Sequence, residues 1–260
     1  MELQITIKNY RGFEDSSPAS FTIGKGFTAF VGPNNSGKST LLKMFYELRS
    51  LFFDLANMGT LVEMFRGNRR AFSPSGTNDQ REIFHDNNLR DISLEFKWLQ
   101  TPVSLMGHSV ISEIRFITSR EDLHSRAEIH CEPMFTHAYH NVTANADGLI
   151  YDPSGQTKVD CNPVINLFRQ LGSGIYIGPF RNAITQGQAS YFDISIGTQF
   201  IDTWNQWKTG ASKAQNLTIE QITEDIRRIF GFKKLEITSS PATGTLQVNL
   251  NQRPYKLGEL

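Results

Sequence analysis

Cysteine is nearly missing from the chain: Cys131 and Cys161 are the two present in 260 residues. A disulfide framework is therefore excluded, and the usage suits a reducing compartment. An excess of either charge is also missing, since 26 basic residues balance 26 acidic ones and the net charge is +0. Compact binders of duplex DNA carry a basic surplus, so this balance argues against that class. A local basic stretch, Arg66, Arg69 and Arg70 with Glu63 beside it, reads as a solvated loop. No apolar run approaches the roughly 20 residues that span a bilayer. The opening "MELQITIKNY" lacks the basic cap and apolar run of a signal peptide. The expectation is a soluble, cytoplasmic protein with no membrane partner. What remains is an ordinary globular composition, 39% hydrophobic and 20% charged. It suits one large domain or one domain with an insertion.

Alternation of apolar and polar residues predicts strands at 3–9 and 19–23. "FTAFVG" (27–32) is almost wholly apolar, as a central strand buried on both faces would be. Leu41, Phe45, Leu48, Phe52 and Leu55 then recur at three- and four-residue steps, the stripe of a packed helix. Polar residues 66–90 read as loop. Strands are predicted at 92–99, 110–118, 127–132 and 148–152, a mostly antiparallel β-rich insertion at about 90–160. A short helix at 164–168 and a buried strand at 174–179 follow. Ile196, Phe200, Trp204 and Trp207 share a helical face. A further helix starts at Thr218 with Gln221 as capping-box partner, buries Ile219, Ile222, Ile226 and Ile229, and stops at Gly231. A β meander at 234–257 ends the pattern.

The strand–loop–helix order frames Gly32-Pro33-Asn34-Asn35-Ser36-Gly37-Lys38-Ser39-Thr40. Two glycines five residues apart let the backbone curl so that successive N–H groups face inward. Those amides and the N-terminus of the next helix make an anion cradle. In this spacing Lys38 serves the β- and γ-phosphates as a point charge, and Ser39 offers its hydroxyl to Mg²⁺. Thr40 opens the helix within reach of the α-phosphate. The ligands expected are ATP and Mg²⁺, with Lys38 the catalytic candidate. No Asn-Lys-x-Asp guanine reader occurs, so a small GTPase is excluded.

"IKNYRGF" (7–13) followed by "GPNNSGKSTLL" (32–42) resembles the start of RecF- and SMC-like ABC ATPases, and more nearly OLD-type bacterial ATPases. Asn35, where transporters commonly have glycine, fits that side. The resemblance covers about the first fifty residues. It implies a mixed α/β ABC-type (RecF/OLD-like) P-loop ATPase head across 1–260. It also implies a homodimer or higher homo-oligomer that sandwiches ATP, and a Toprim-type nuclease effector in phage defence. An arginine placed like Arg11 lies near the nucleotide in such proteins; by itself it reads equally as a surface arginine at a strand end. "YIGPFRN" (176–182) also resembles them, which makes Gln186 and Gln188 candidates for a Mg²⁺-sensing glutamine, against plain loop residues.

The resemblance further implies an apolar strand ending in Asp-Glu, a serine-rich signature and a switch histidine, and the sequence contains none of them. "GLIYDPSG" (148–155) imitates the first but lacks the glutamate and reads as a hairpin turn. "YKLGEL" (255–260) is similar to the residues before a signature. The expectation is an amino-terminal portion whose remaining catalytic parts lie beyond Leu260. Two other classes stay open: a nucleotide-stabilised scaffold with little turnover, and a RecF-like DNA repair clamp. His130, Cys131, His137 and His140 have no standard zinc spacing, and adjacent strand residues point to opposite faces. They read as ordinary strand and loop residues.

Overall fold

The computed structural model describes residues 2–77, 79–100, 108–132, 142–151, 158–178, 190–195, 197–240, 244–250 and 253–256. In chain order the first elements are β1 (Leu3–Lys8), β2 (Ala19–Ile23), α1 (Lys38–Glu47), α2 (Arg49–Leu55), α3 (Met58–Phe65) and β3 (Arg70–Ala71). Then come β4 (Ile92–Trp98), β5 (Ser109–Thr118), β6 (His124–Glu132), β7 (Thr143–Ala144), β8 (Leu149–Tyr151), β9 (Lys158–Asp160) and α4 (Asn162–Gly172). The last are β10 (Ser190–Tyr191), β11 (Ile194–Ser195), α5 (Gly197–Thr209), α6 (Lys213–Ile229), β12 (Leu235–Ser240), β13 (Thr245–Leu250) and β14 (Arg253–Lys256). The chain divides into two compact units, Met1–Gly174 and Ile175–Leu260.

The first unit is built on a mixed sheet ordered β2-β1-β4-β5-β9-β8-β7, with β6 on β5 and β3 on β6. Its strands alternate as the sequence predicts. Ile5, Phe96, Ile114 and Ile129 stand in one cross-strand row on the buried face. The next row, Thr6, Glu95, Arg115 and Glu128, is turned to solvent. Arg115 bridges Glu95 at 3.0 Å and Glu128 at 3.4 Å, which settles the charges of that face among themselves. The strands of 92–160 continue the sheet that β1 and β2 begin, because β4 pairs with β1 along Leu3–Lys8.

Helices α1 to α4 contribute to the same core as the buried face. The stripe after the glycine loop is real, but it belongs to two helices that meet at Leu48. Aromatic rings knit the centre: Phe96 lies 5.0 Å from Phe168 edge-on, 6.1 Å from Phe52 and 6.3 Å from Phe116. All four rings are fully buried.

Two apolar runs depart from expectation. Residues 27–32 form no strand, and Phe27 and Val31 are 94% and 93% exposed. A run apolar on both faces needs a neighbour strand, and β4 pairs with β1 instead. Among the described residues no ladder includes 27–32. The described part of 174–179 likewise forms no strand, and Ile175 and Ile177 are exposed.

The second unit packs α5 and α6 with the meander β12-β13-β14 around Ile201, Trp204, Ile219, Ile237, Leu246 and Val248. Lys208 Nζ donates to the Ile237 carbonyl at 2.6 Å, tying α5 to β12. The start of α6 was misplaced by the sequence: it begins after Ser212, and Thr218 lies inside, its hydroxyl donating to the Ala214 carbonyl four residues back. Ile219 is buried as expected, whereas Ile222 and Ile229 are exposed. Gly231 closes the helix with φ +69°, a left-handed turn that a glycine takes without strain.

Candidate functional site

The glycine loop runs from segment 27–32, exposed except at Phe30, straight into α1. Asn35 takes φ +63° and Gly37 φ +85°, the left-handed turns that curl the loop. Gly37 is the cap residue of α1, and no side chain caps that end. The first amides of α1 therefore have no side-chain acceptor, and a helix dipole favours an anion at such an end.

Around this end lies a cleft of about 830 Å³. Asn34–Thr40 form one wall, and Gly12, Phe13 and Ser17 form the other. Ser39 is exposed toward solvent. Lys38 curls back over its own loop: Nζ donates to the Gly32 carbonyl at 2.9 Å, to the Pro33 carbonyl at 2.5 Å and to Ser36 Oγ at 3.3 Å. These contacts hold the ammonium at the loop's mouth. Gly32, Pro33, Asn34, Asn35, Ser36, Gly37, Lys38, Ser39 and Thr40 are thus brought together by one turn and one helix end.

Arg11 goes elsewhere. Its guanidinium grips the carboxylate of Glu47 at the far end of α1, with Nε at 2.9 Å and Nη2 at 2.5 Å. The neighbours of Arg11 reach the cleft instead. The ring of Phe13 lies against Gly37, where an added Cβ would come within 2.5 Å of Cζ. Gly12, Phe13 and Ser17 went unnoticed in the sequence, since nothing in their spacing announces a cleft wall.

Glu47 was missed as well. It is 0% exposed and accepts from Tyr10 Oη at 2.6 Å and Lys43 Nζ at 2.9 Å besides the Arg11 fork. Burial alone would raise its pKa; the hydrogen bonds from Arg11, Tyr10 and Lys43 outweigh it and hold the carboxyl below its usual value. The same contact, with Glu47 as acceptor, raises the Arg11 pKa. The signal was present: Glu47 sits three residues after Met44 and one before Leu48, on the apolar stripe, where a carboxylate needs a reason.

Gly37→Ala tests the loop's fit. An alanine at φ +85° is strained by about 1–2 kcal/mol, and its methyl also meets Phe13. The expected result is a thermal midpoint about 2–8 °C lower and weak nucleotide binding, read by calorimetry. Removing the ring with Phe13→Ala in that background relieves the clash but not the backbone strain.

Among the described residues no cluster of His, Cys, Asp and Glu could hold a metal ion. His130 and Cys131 lie on β6 as strand residues, while His137 and His140 fall outside the described residues. Gln186, Gln188 and Asp152 also fall outside them. No helix of the described chain is long and apolar enough to cross a membrane.

A sequence model described as the AAA ATPase domain matches residues 1–122. That span is somewhat less than half of the chain and includes the loop, its cleft, strands β1 to β5 and helices α1 to α3. No curated protein matches the chain. Together with the large mixed sheet and its helices, the match identifies a P-loop ATPase fold and supports ATP binding with ATPase chemistry.

Proposed function

We propose that this chain carries the ATP-binding half of a RecF/OLD-like ATPase head, which pairs with a second head on ATP and gates a partner effector. The observation that carries this reading is the open end of α1. Uncapped amides, the Lys38 ammonium and the exposed Ser39 hydroxyl converge there on one cleft. Backbone N–H groups of 34–39 bind phosphate oxygens. Lys38 would exchange its loop carbonyls for the β- and γ-phosphates, and Ser39 would hold Mg²⁺. When bound there, Mg²⁺ would offset charge on those phosphates. Arg11 acts on the nucleotide only through the turn it anchors.

Hydrolysis needs a group that activates water, and the 260 residues contain no strand ending in Asp-Glu. In this reading that group and the signature come from another polypeptide segment. The exposed Phe27 and Val31 of the apolar run 27–32 support it, because such a run is suited to a sheet with further strands. Toprim-type effectors and phage defence follow from the resemblance of residues 7–13 and 32–42, and DNA is the less favoured partner of a neutral chain.

The missing Asp-Glu also favours a second reading, a scaffold that ATP stabilises without turnover. Comparing assembly and effector activity with ATP and with a non-hydrolysable analogue separates the two. The gating reading expects the analogue to assemble the complex but trap it in one state. Identical behaviour with both nucleotides supports the scaffold.

A further inference from the structure

We propose that Glu47 is a positioning residue for the phosphate loop: its buried carboxylate clamps the 10–13 turn, and Phe13 carries that constraint to Gly37. This rests on the loop being the nucleotide site.

A fully buried carboxylate is costly to keep, and an apolar residue of similar size would often be as stable. What an apolar residue lacks is direction. The two-pronged contact from Arg11 fixes the angle of its guanidinium, and Tyr10 fixes a second approach. The turn they belong to is strained: Asn9 and Arg11 take φ +56° and +47° without being glycine. Such conformations persist only where the surroundings over-determine them. Here the Arg11 N–H donates to the Ile83 carbonyl at 2.9 Å, and Asn9 Nδ2 donates to the Asp91 carbonyl at 3.0 Å.

The same short turn therefore holds α1 at both ends. Tyr10 and Arg11 hold its last turn through Glu47, and Phe13 rests on Gly37 at its first. The helix between them is about 15 Å long. The loop itself has little else to lean on. Residues 31–36 are exposed, and the segment before them joins no ladder among the described residues. Phe30, just before the loop, packs on Phe21 at 5.1 Å. Besides that contact and the grip of Lys38, Phe13 meets the loop where it enters the helix, and Glu47 holds the turn that carries Phe13 through Tyr10 and Arg11.

The test uses the whole chain. Ligand-free amide spectra of Glu47→Gln are expected to shift Gly32–Gly37, although the substitution is at the opposite end of α1. MgATP affinity is expected to fall about tenfold in Glu47→Gln and in Phe13→Leu, with the double variant little worse than either single one. Arg11→Lys keeps the charge but loses the fork, and is expected to lose affinity likewise; Tyr10→Phe, which keeps the carboxylate and the fork, should lose less. These two serve if Glu47→Gln does not fold. Shifts confined to residues around Tyr10, Arg11 and Ile83, or losses that simply add, overturn the proposal. If the wild type itself fails to bind MgATP, the loop's assignment has failed instead, and the ligand-free spectra still decide whether Glu47 positions the loop.

Discussion

Lys38→Ala is expected to remove MgATP binding while leaving the chain folded. Two effects act in the same direction. Among the described residues that line the cleft, Lys38 carries the positive charge, and its ammonium stands on Gly32, Pro33 and Ser36. Truncating one partner of a desolvated charge pair costs about 2–5 kcal/mol, so affinity should fall roughly thirtyfold or more. The loop also loses the contacts that gather two of its carbonyls and the Ser36 hydroxyl, which widens the cradle. Lys38 belongs to no core cluster, so the thermal midpoint without nucleotide should hardly move. In an assembly that hydrolyses ATP, turnover should vanish. Calorimetric titration with MgATP checks the first outcome and phosphate release the second. Undiminished binding in the variant would remove the loop from the account.

Phe96→Ala is expected to have the largest effect on stability. The ring lies at the junction of β4 with α2 and α4 and touches Phe52, Phe116 and Phe168. Its removal leaves a void among rings that cannot all close in, and such truncations cost about 3–5 kcal/mol. Denaturant unfolding should show a lower midpoint with an unchanged slope. Phe27→Ala is the contrast. That side chain is 94% exposed, so its removal should leave stability unchanged in this chain alone. If the two variants behaved alike, the core would not be where the aromatic cluster places it.

Period-two strands were legible because one face of the sheet is solvated. Leu3, Ile5 and Ile7 alternate with Gln4, Thr6 and Lys8, and the register follows from that contrast. The same holds for β4, β5 and β6. The glycine loop was legible because its pattern is local: glycines, lysine and serine lie within nine residues of one another. Apolar runs without alternation misled. "FTAFVG" and "GIYIG" have the composition of buried strands, yet composition does not say which strand will pair with them. Helix α6 misled differently, since Thr218 with Gln221 imitates a capping box inside a helix that already begins after Ser212. The turn that forms the far wall of the cleft was illegible. Phe13 meets Gly37 across 24 positions, and Arg11 meets Glu47 across 36. Contacts at that separation are set by how β1 lies along α1, which no local pattern records.

The central claim is that the open end of α1 receives a magnesium-bound triphosphate. Titrating the isotope-labelled chain with MgATP while following backbone amides tests it most directly. The account predicts saturable shifts concentrated in Gly32–Thr40, with smaller ones at Gly12 and Phe13, and none of these in Lys38→Ala. A folded chain whose loop amides stay unmoved at millimolar MgATP would contradict it.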